Sequence, residues 1–247
     1  MAEIRKEKVY CPKCKKEIEI GMWDVVESPY DKEEKEKVLK NMFFKVHCDD
    51  CDIIFPIAYR CQYNDLERKF LIWFVPGMEP KDKKVIADYE QRLKTDNTLR
   101  LAQGGYRYRL VRTDNELREK VFIFEQGYDD RIIEIMKMLY APMIKQSVAK
   151  ERDIMGIYFD QKKDGKYRWV ILLTGMNQPL MMDINMDMYE EMKGKLADII
   201  DEMLPEGFAY INVLWAREVM KTQVERLEKE KAQEQEKEQK EQQTRNA

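Results

Sequence analysis

Residues 11–51 read CPKCKKEIEIGMWDVVESPYDKEEKEKVLKNMFFKVHCDDC, a segment that opens and closes on a C-x-x-C pair. Each pair lets two thiolates face one metal ion from a single tight turn, so two pairs complete a closed, tetrahedral, four-sulfur site. Cys11, Cys14, Cys48 and Cys51 are therefore the expected ligands of one structural Zn2+. Pro12 fixes φ inside the first knuckle, whereas the second has no proline. A glycine often follows such knuckles; Lys15 and Asp52 stand there instead, where a left-handed backbone costs more. His47 is an alternative ligand, but its neighbour Cys48 already suits the paired geometry, so His47 reads as an ordinary strand side chain. Thirty-three residues separate Cys14 from Cys48, more than in a compact ribbon, and they read as an excursion that returns to the metal.

Within that excursion, residues 16–26 alternate with Ile18, Ile20 and Met22 on one face, the period of a half-buried strand. Ser28-Pro29 breaks it, and residues 31–42 carry Val38, Leu39 and Met42 at helical spacing. Residues 43–47 lead as a strand into the second pair, and 53–60 and 69–75 follow as strands, the last almost wholly apolar and so buried. Residues 81–94 form an amphipathic pattern bounded by Pro76-Gly77 and Gly104-Gly105. Residues 106–112 alternate Tyr106, Tyr108 and Leu110 against Arg107, Arg109 and Val111, which predicts a strand with one apolar and one largely basic face.

Thr113 and Glu116 form a capping box that opens a helix to about Glu125; Gly127 stops it, and Asp129-Asp130 suit the start of the next helix, 132–140, which Pro142 follows. Residues 154–160 and 166–174 flank Asp164-Gly165, the clearest hairpin signal in the chain. Residues 180–184 add a strand, Asp187 caps a helix to Met203, and 208–214 return as a strand. From Ala216 a helix runs outward into EKEKAQEQEKEQKEQQTRNA, which has almost no apolar residue with which to pack. The expected class is α+β: a zinc-ribbon-like β unit within residues 1–140, a mixed α/β portion with a hairpin over 150–220, and a polar helical or disordered tail over 221–247.

Forty-four Lys/Arg against forty-seven Asp/Glu leave no net basic footprint, and a polar N-terminus with only short apolar runs argues against a signal peptide or membrane span. A cytoplasmic protein is expected, and in that reducing compartment paired cysteines serve as metal ligands rather than disulfides. Cys61 is left over and reads as a small buried hydrophobe.

At the cysteines the chain resembles the CpXC domain family of prokaryotic proteins, defined by two C-x-x-C motifs whose second position is commonly proline. Cys11-Pro12-Lys13-Cys14 matches outright, while Cys48-Asp49-Asp50-Cys51 keeps the cysteines without the proline or a following glycine. IFPIAYRCQYNDLERKFLIWFVP and RLVRTDNELREKVFIFEQGYDDRIIEIMKMLY extend the likeness over residues 9–140. The resemblance implies a zinc-ribbon-like module of unassigned function and carries over no catalytic residue.

A binding or scaffolding module for a protein or nucleic-acid partner is the expected function, with a thiol/zinc redox sensor and a hydrolytic enzyme as alternatives. One His, no Gly-rich phosphate loop and no H-E-x-x-H weaken the enzyme reading. Asp129-Asp130 and Glu190-Glu191 are its carboxylate candidates, although helix ends and solvated faces account for them. Tyr106-Arg107-Tyr108-Arg109 is the candidate nucleic-acid surface, and Met176, Met181, Met182, Met186, Met188 and Met192 a candidate peptide groove; a half-buried strand and core packing are the plainer readings.

Overall fold

In the computed structural model each C-x-x-C pair forms the turn of a β-hairpin. The structure describes residues 4–79, 84–85, 87–88, 91, 105–147, 150–204 and 208–245. The first knuckle joins β1 (Ile4–Tyr10) to β2 (Glu17–Trp23), paired antiparallel from Ile4 opposite Trp23 to Tyr10 opposite Glu17. The second joins β4 (Lys45–Cys48) to β5 (Ile53–Pro56), with Cys48 opposite Ile53. β1 was not anticipated: it is exposed almost throughout and lacks the alternation that marks a strand. Cross-strand pairs Lys6–Glu19 and Lys8–Glu17 line this hairpin with charge, which suits an exposed strand edge.

The excursion between the knuckles belongs mostly to the body. β3 (Val25–Ser28) leaves β2 and enters a five-stranded sheet of order β12-β8-β7-β6-β3, where β6 is Cys61–Asp65, β7 Phe70–Phe74, β8 Arg107–Val111 and β12 Phe208–Ala209. α1 (Lys32–Leu39) sends Val38 into the main core beside Phe44. Sequence periodicity did not separate β2 from β3, because the apolar run continues through the bend at Asp24. β6 was also hidden, since Gln62, Asn64 and Asp65 look like loop residues but are buried in the sheet.

β7 shows why its sequence is continuously apolar. Phe70, Ile72 and Phe74 face the main core, while Leu71 and Val75 face a second cluster with Tyr108, Leu110 and Phe208. β7 pairs parallel with β8 and β8 parallel with β12, so strands covered on both faces lie at the sheet's centre. Of the expected helix over 81–94, residues 84–85, 87–88 and 91 are helical, and the rest lies outside the described residues.

α2 (Asp114–Glu125) opens on Thr113, whose Oγ1 accepts the Glu116 N–H at 3.1 Å, and ends before Gly127 at φ 75°. Glu116 reaches back to the Arg112 N–H at 2.6 Å, one residue before the capping-box partner. α3 (Asp130–Ser147) runs through Pro142 instead of stopping at Tyr140. Proline forfeits one helical hydrogen bond, yet fully buried Ile144 lies beyond it, and tertiary packing holds the last turns.

The predicted hairpin is present as β9 (Ile154–Gln161) and β10 (Tyr167–Leu173), with β11 (Leu180–Asp183) completing a three-stranded antiparallel sheet. Two helix starts differ from expectation. Asp187 is the first residue of α4 (Asp187–Glu202), and Asn185 Oδ1 accepts its N–H at 2.9 Å. The strand expected over 208–214 is only Phe208–Ala209, because Asn212 Oδ1 accepts the Leu214 and Trp215 N–H groups and starts α5 (Val213–Arg245) early.

Packing runs across the boundary expected near residues 140–150: β12 extends the sheet begun by β3, and one core cluster includes Val26, Ile133, Trp169, Ile200 and Val219. Beyond Arg226, α5 is exposed through Gln239. Deleting residues 225–247 should therefore leave metal content unchanged and move the melting temperature by less than ~3 °C, because the Arg226–Glu202 pair it removes is a surface ion pair. A larger loss, seen by calorimetry or as insoluble expression, would show that the tail docks on the body.

Candidate metal centre

The two hairpin turns bring their thiols together. Among the described residues, Cys11, Cys14, Cys48 and Cys51 have all four sulfurs within 4.8 Å of one another, and Cys11 and Cys48 are buried. The sulfurs of Cys11 and Cys51 lie 3.5 Å apart and those of Cys14 and Cys48 3.6 Å. A disulfide would need about 2.05 Å. A tetrahedron of sulfurs about 2.3 Å from a central metal has edges of about 3.8 Å, so the spacing fits four ligands around one ion.

The knuckles hold this geometry through the backbone. In the first, the Cys11 carbonyl accepts the Lys15 N–H at 3.0 Å; in the second, the Cys48 carbonyl accepts the Asp52 N–H at 2.9 Å. Lys15 and Asp52 lie in the left-handed region, at φ 62° and 52°. The glycine-like conformation is thus kept without glycine, at a conformational cost that the surrounding turn must offset. Around the sulfurs pack Val46, Phe55, Val9, Ile18, Ile20 and Ile53, a small cluster separate from the main core except that Ile57 touches both.

Four adjacent thiols cannot all ionise without a cation between them. Desolvation pushes the Cys51 thiol up to about 12, with Cys11, Cys48 and Cys14 adding to the effect. Desolvation also opposes ionisation of Cys11, but backbone N–H groups of Cys14 and Lys13 outweigh it and bring that thiol down to about 6. Metal binding therefore displaces protons from the cluster and strengthens as pH rises.

His47 is not part of the sulfur set. Its ring is exposed and lies between Asp49 Oδ1, 2.9 Å from Nδ1, and Asp52 Oδ1, 2.8 Å from Nε2, and these two carboxylates raise its pKa. Cys61 is buried in β6, where desolvation pushes its thiol up.

The other candidates fall elsewhere. Tyr106-Arg107-Tyr108-Arg109 is largely covered: Tyr108 and Arg109 are buried, and the Arg107 guanidinium covers the Phe124 ring at 4.1 Å. The two faces of β8 are divided as expected, but the basic one is covered by α2 and α3 rather than solvated. Asp130 is likewise no solvated helix end. It is fully buried, accepts two hydrogen bonds from Arg109 at 2.8 and 2.9 Å, and lies 2.9 Å from Lys120 Nζ. Glu190 and Glu191 are exposed, as a solvated helix face requires. Met182, Met186, Met188 and Met192 pack against the main core, while Met176 and Met181 reach the surface, so the methionines form no single groove.

A second buried group was not anticipated. Lys137 Nζ donates to Glu119 at 2.6 Å and to Glu134 at 3.0 Å, and all three side chains are buried. The available signal was Asp130, Glu134 and Lys137 at i, i+4 and i+7, three charges on one face of a helix otherwise rich in Ile, Met and Leu.

No helix among the described residues is long and apolar enough to cross a membrane. No curated protein and no solved structure matches the chain. A family model described as CpXC protein matches residues 9–137, a span that contains both knuckles and the helices α1 and α2, and the chain belongs to the CpXC family.

Proposed function

We propose that the chain is a binding module whose ribbon is held by one structural Zn2+ on Cys11, Cys14, Cys48 and Cys51. The observation that carries this reading is the closed sulfur set, with all four sulfurs within 4.8 Å and every coordination position of a tetrahedral ion supplied by the protein. Such a site leaves no position for substrate and works by tying two hairpins together. A cytoplasmic setting keeps the thiols reduced. The partner is a protein in this reading: Tyr108 and Arg109 of β8 are buried, the Arg107 guanidinium covers Phe124, and the net charge of -3 offers phosphate no general attraction.

Metal analysis after purification under reducing conditions tests the reading. About one zinc per chain is expected, because four thiolates make one tetrahedral site. Iron, or a chain that is folded and metal-free, would contradict it. Cys14 is exposed and Cys51 partly so, which supports a second reading as a thiol/zinc redox sensor. In that reading two zinc-bound thiolates give two electrons to peroxide and join as a disulfide, the peroxide takes two protons from solvent to leave as two waters, and the metal is released. Zinc retained through mild peroxide treatment favours the structural role; stoichiometric release, reversed by a thiol reductant, favours the sensor.

A further inference from the structure

β9 is the edge strand of the sheet β11-β10-β9. Where the hairpin turns, the Lys162 N–H donates to the Lys166 carbonyl at 2.7 Å, so the alternation of an antiparallel ladder gives Asp160, Tyr158 and Gly156 the bonds to β10. Phe159 and Ile157 therefore turn their N–H and C=O groups to the free edge. That edge is closed at Phe159, whose N–H donates to Glu119 Oε1 of α2 at 2.5 Å. At Ile157, a half-buried residue, neither backbone group has a partner among the described residues.

Residues 154–158 of this strand form one wall of a cleft of about 430 Å³, and residues 210–214 form another. Ala141, Ile154 and Val213 line both this cleft and a second hollow of about 500 Å³, so the two make one groove that ends beside Lys145 and Arg217. Ile157, Ile211 and Leu214 line the cleft, and Met155 and Val213 at its rim are 67% and 37% exposed. Unpaired backbone groups and exposed apolar side chains thus border the same space, and an added strand satisfies both. α3 and residues 210–214 flank the edge, so a single extended segment reaches it more readily than the sheet edge of a second copy. Charge gives the groove a direction. Within the cleft three glutamates are matched by Arg112, Lys120 and Lys137, whereas in the second hollow Asp153 lies 3.8 Å from Lys145 and exposed Arg217 is left in excess, beside the start of β9.

We infer that the groove takes an extended segment of a partner protein as an added strand on β9, antiparallel to it, with apolar side chains at alternate positions in the cleft and an acidic C-terminal end beside Arg217. Ile157 bonds the segment through its N–H and C=O; such backbone bonds supply affinity, and the apolar wall selects the alternating side chains. The antiparallel direction brings the segment's C-terminal end to the start of β9, where the groove is positive. The inference rests on the reading of the chain as a protein-binding module, and the two fail separately: metal content tests the ribbon, and the Ile157 amide tests the groove.

Amide hydrogen exchange of the full, zinc-loaded chain, read by NMR with the acetylated peptide Thr-Val-Thr-Ile-Thr-Val-Asp-Glu as probe, tests this. The Ile157 amide should exchange readily in the free chain and at least ~10-fold more slowly with peptide in excess. Two versions of the peptide, N-methylated at one or the other set of alternate residues, should differ at least ~10-fold in affinity, because only one set of N–H groups faces β9. Arg217→Glu, an exposed change, should weaken the peptide at least ~3-fold and favour a version ending in Lys-Lys. An Ile157 amide already protected in the free chain would overturn the proposal, because a second copy or another part of the chain would then hold the edge. So would exchange unchanged by millimolar peptide, equal binding of the two methylated versions, or an affinity indifferent to Arg217.

Discussion

Replacing Cys11 and Cys14 together by Ser is expected to abolish zinc binding and unfold the two hairpins, residues 4–23 and 45–57, while the body stays helical by circular dichroism. Structural zinc can supply ~10–16 kcal/mol of folding free energy in small modules. Apart from cysteines, the buried residues of the ribbon cluster are Val46 and Phe55. Those two side chains contribute about 1.5–3 kcal/mol each, well short of what the metal provides. The body does not share this dependence. Val26, Val38 and Phe44 belong to the main core, so β3 and α1 should persist although they lie between the knuckles in sequence. Limited proteolysis should therefore cut the variant within the hairpins and spare the rest. Digestion of the whole chain as one unit would show that ribbon and body fold together; an uncut ribbon would show that the metal is not what holds it.

The second large effect is expected far from the metal. Asp130→Ala should destabilise the chain by about 3–5 kcal/mol at neutral pH, because it strands Arg109 and Lys120 as buried cations with no counter-charge. Against a typical net stability of about 5–15 kcal/mol, that approaches unfolding. Burial alone would raise the Asp130 pKa, but Arg109 and Lys120 outweigh it and hold the carboxyl well below the usual range. A carboxyl depressed in the folded state contributes stability that is present above its unfolded pKa of about 3.9 and is lost as pH falls below that value. Urea melts should thus show the full difference between variant and parent at pH 7, with the gap narrowing as the pH drops below about 4. A variant within ~1 kcal/mol of the parent at pH 7 would mean that the pair is solvated rather than buried.

Most of the chain's local order was legible because local chemistry decides it. The cysteine spacing located both knuckles, Asp164-Gly165 located the hairpin, and Thr113 with Gly127 bounded α2, each a signal carried by a few adjacent residues. The errors occur where distant packing overrides such signals. Pro142 reads as a stop, but α3 continues because Ile144 is buried by other elements. Arg109 reads as a surface cation, and Asp130 as a helix-end acid, until the fold places them 2.8 Å apart in the core. The metal site was readable because two short motifs contain all of it.

X-ray absorption at the zinc edge of the purified chain tests the central claim most directly. Four sulfur scatterers at about 2.3 Å, with no nitrogen or oxygen in the first coordination sphere and about one zinc per chain, are the predicted result. A first sphere containing nitrogen or oxygen would contradict the account: nitrogen would bring His47 into the site, and oxygen would open the metal to water and to chemistry.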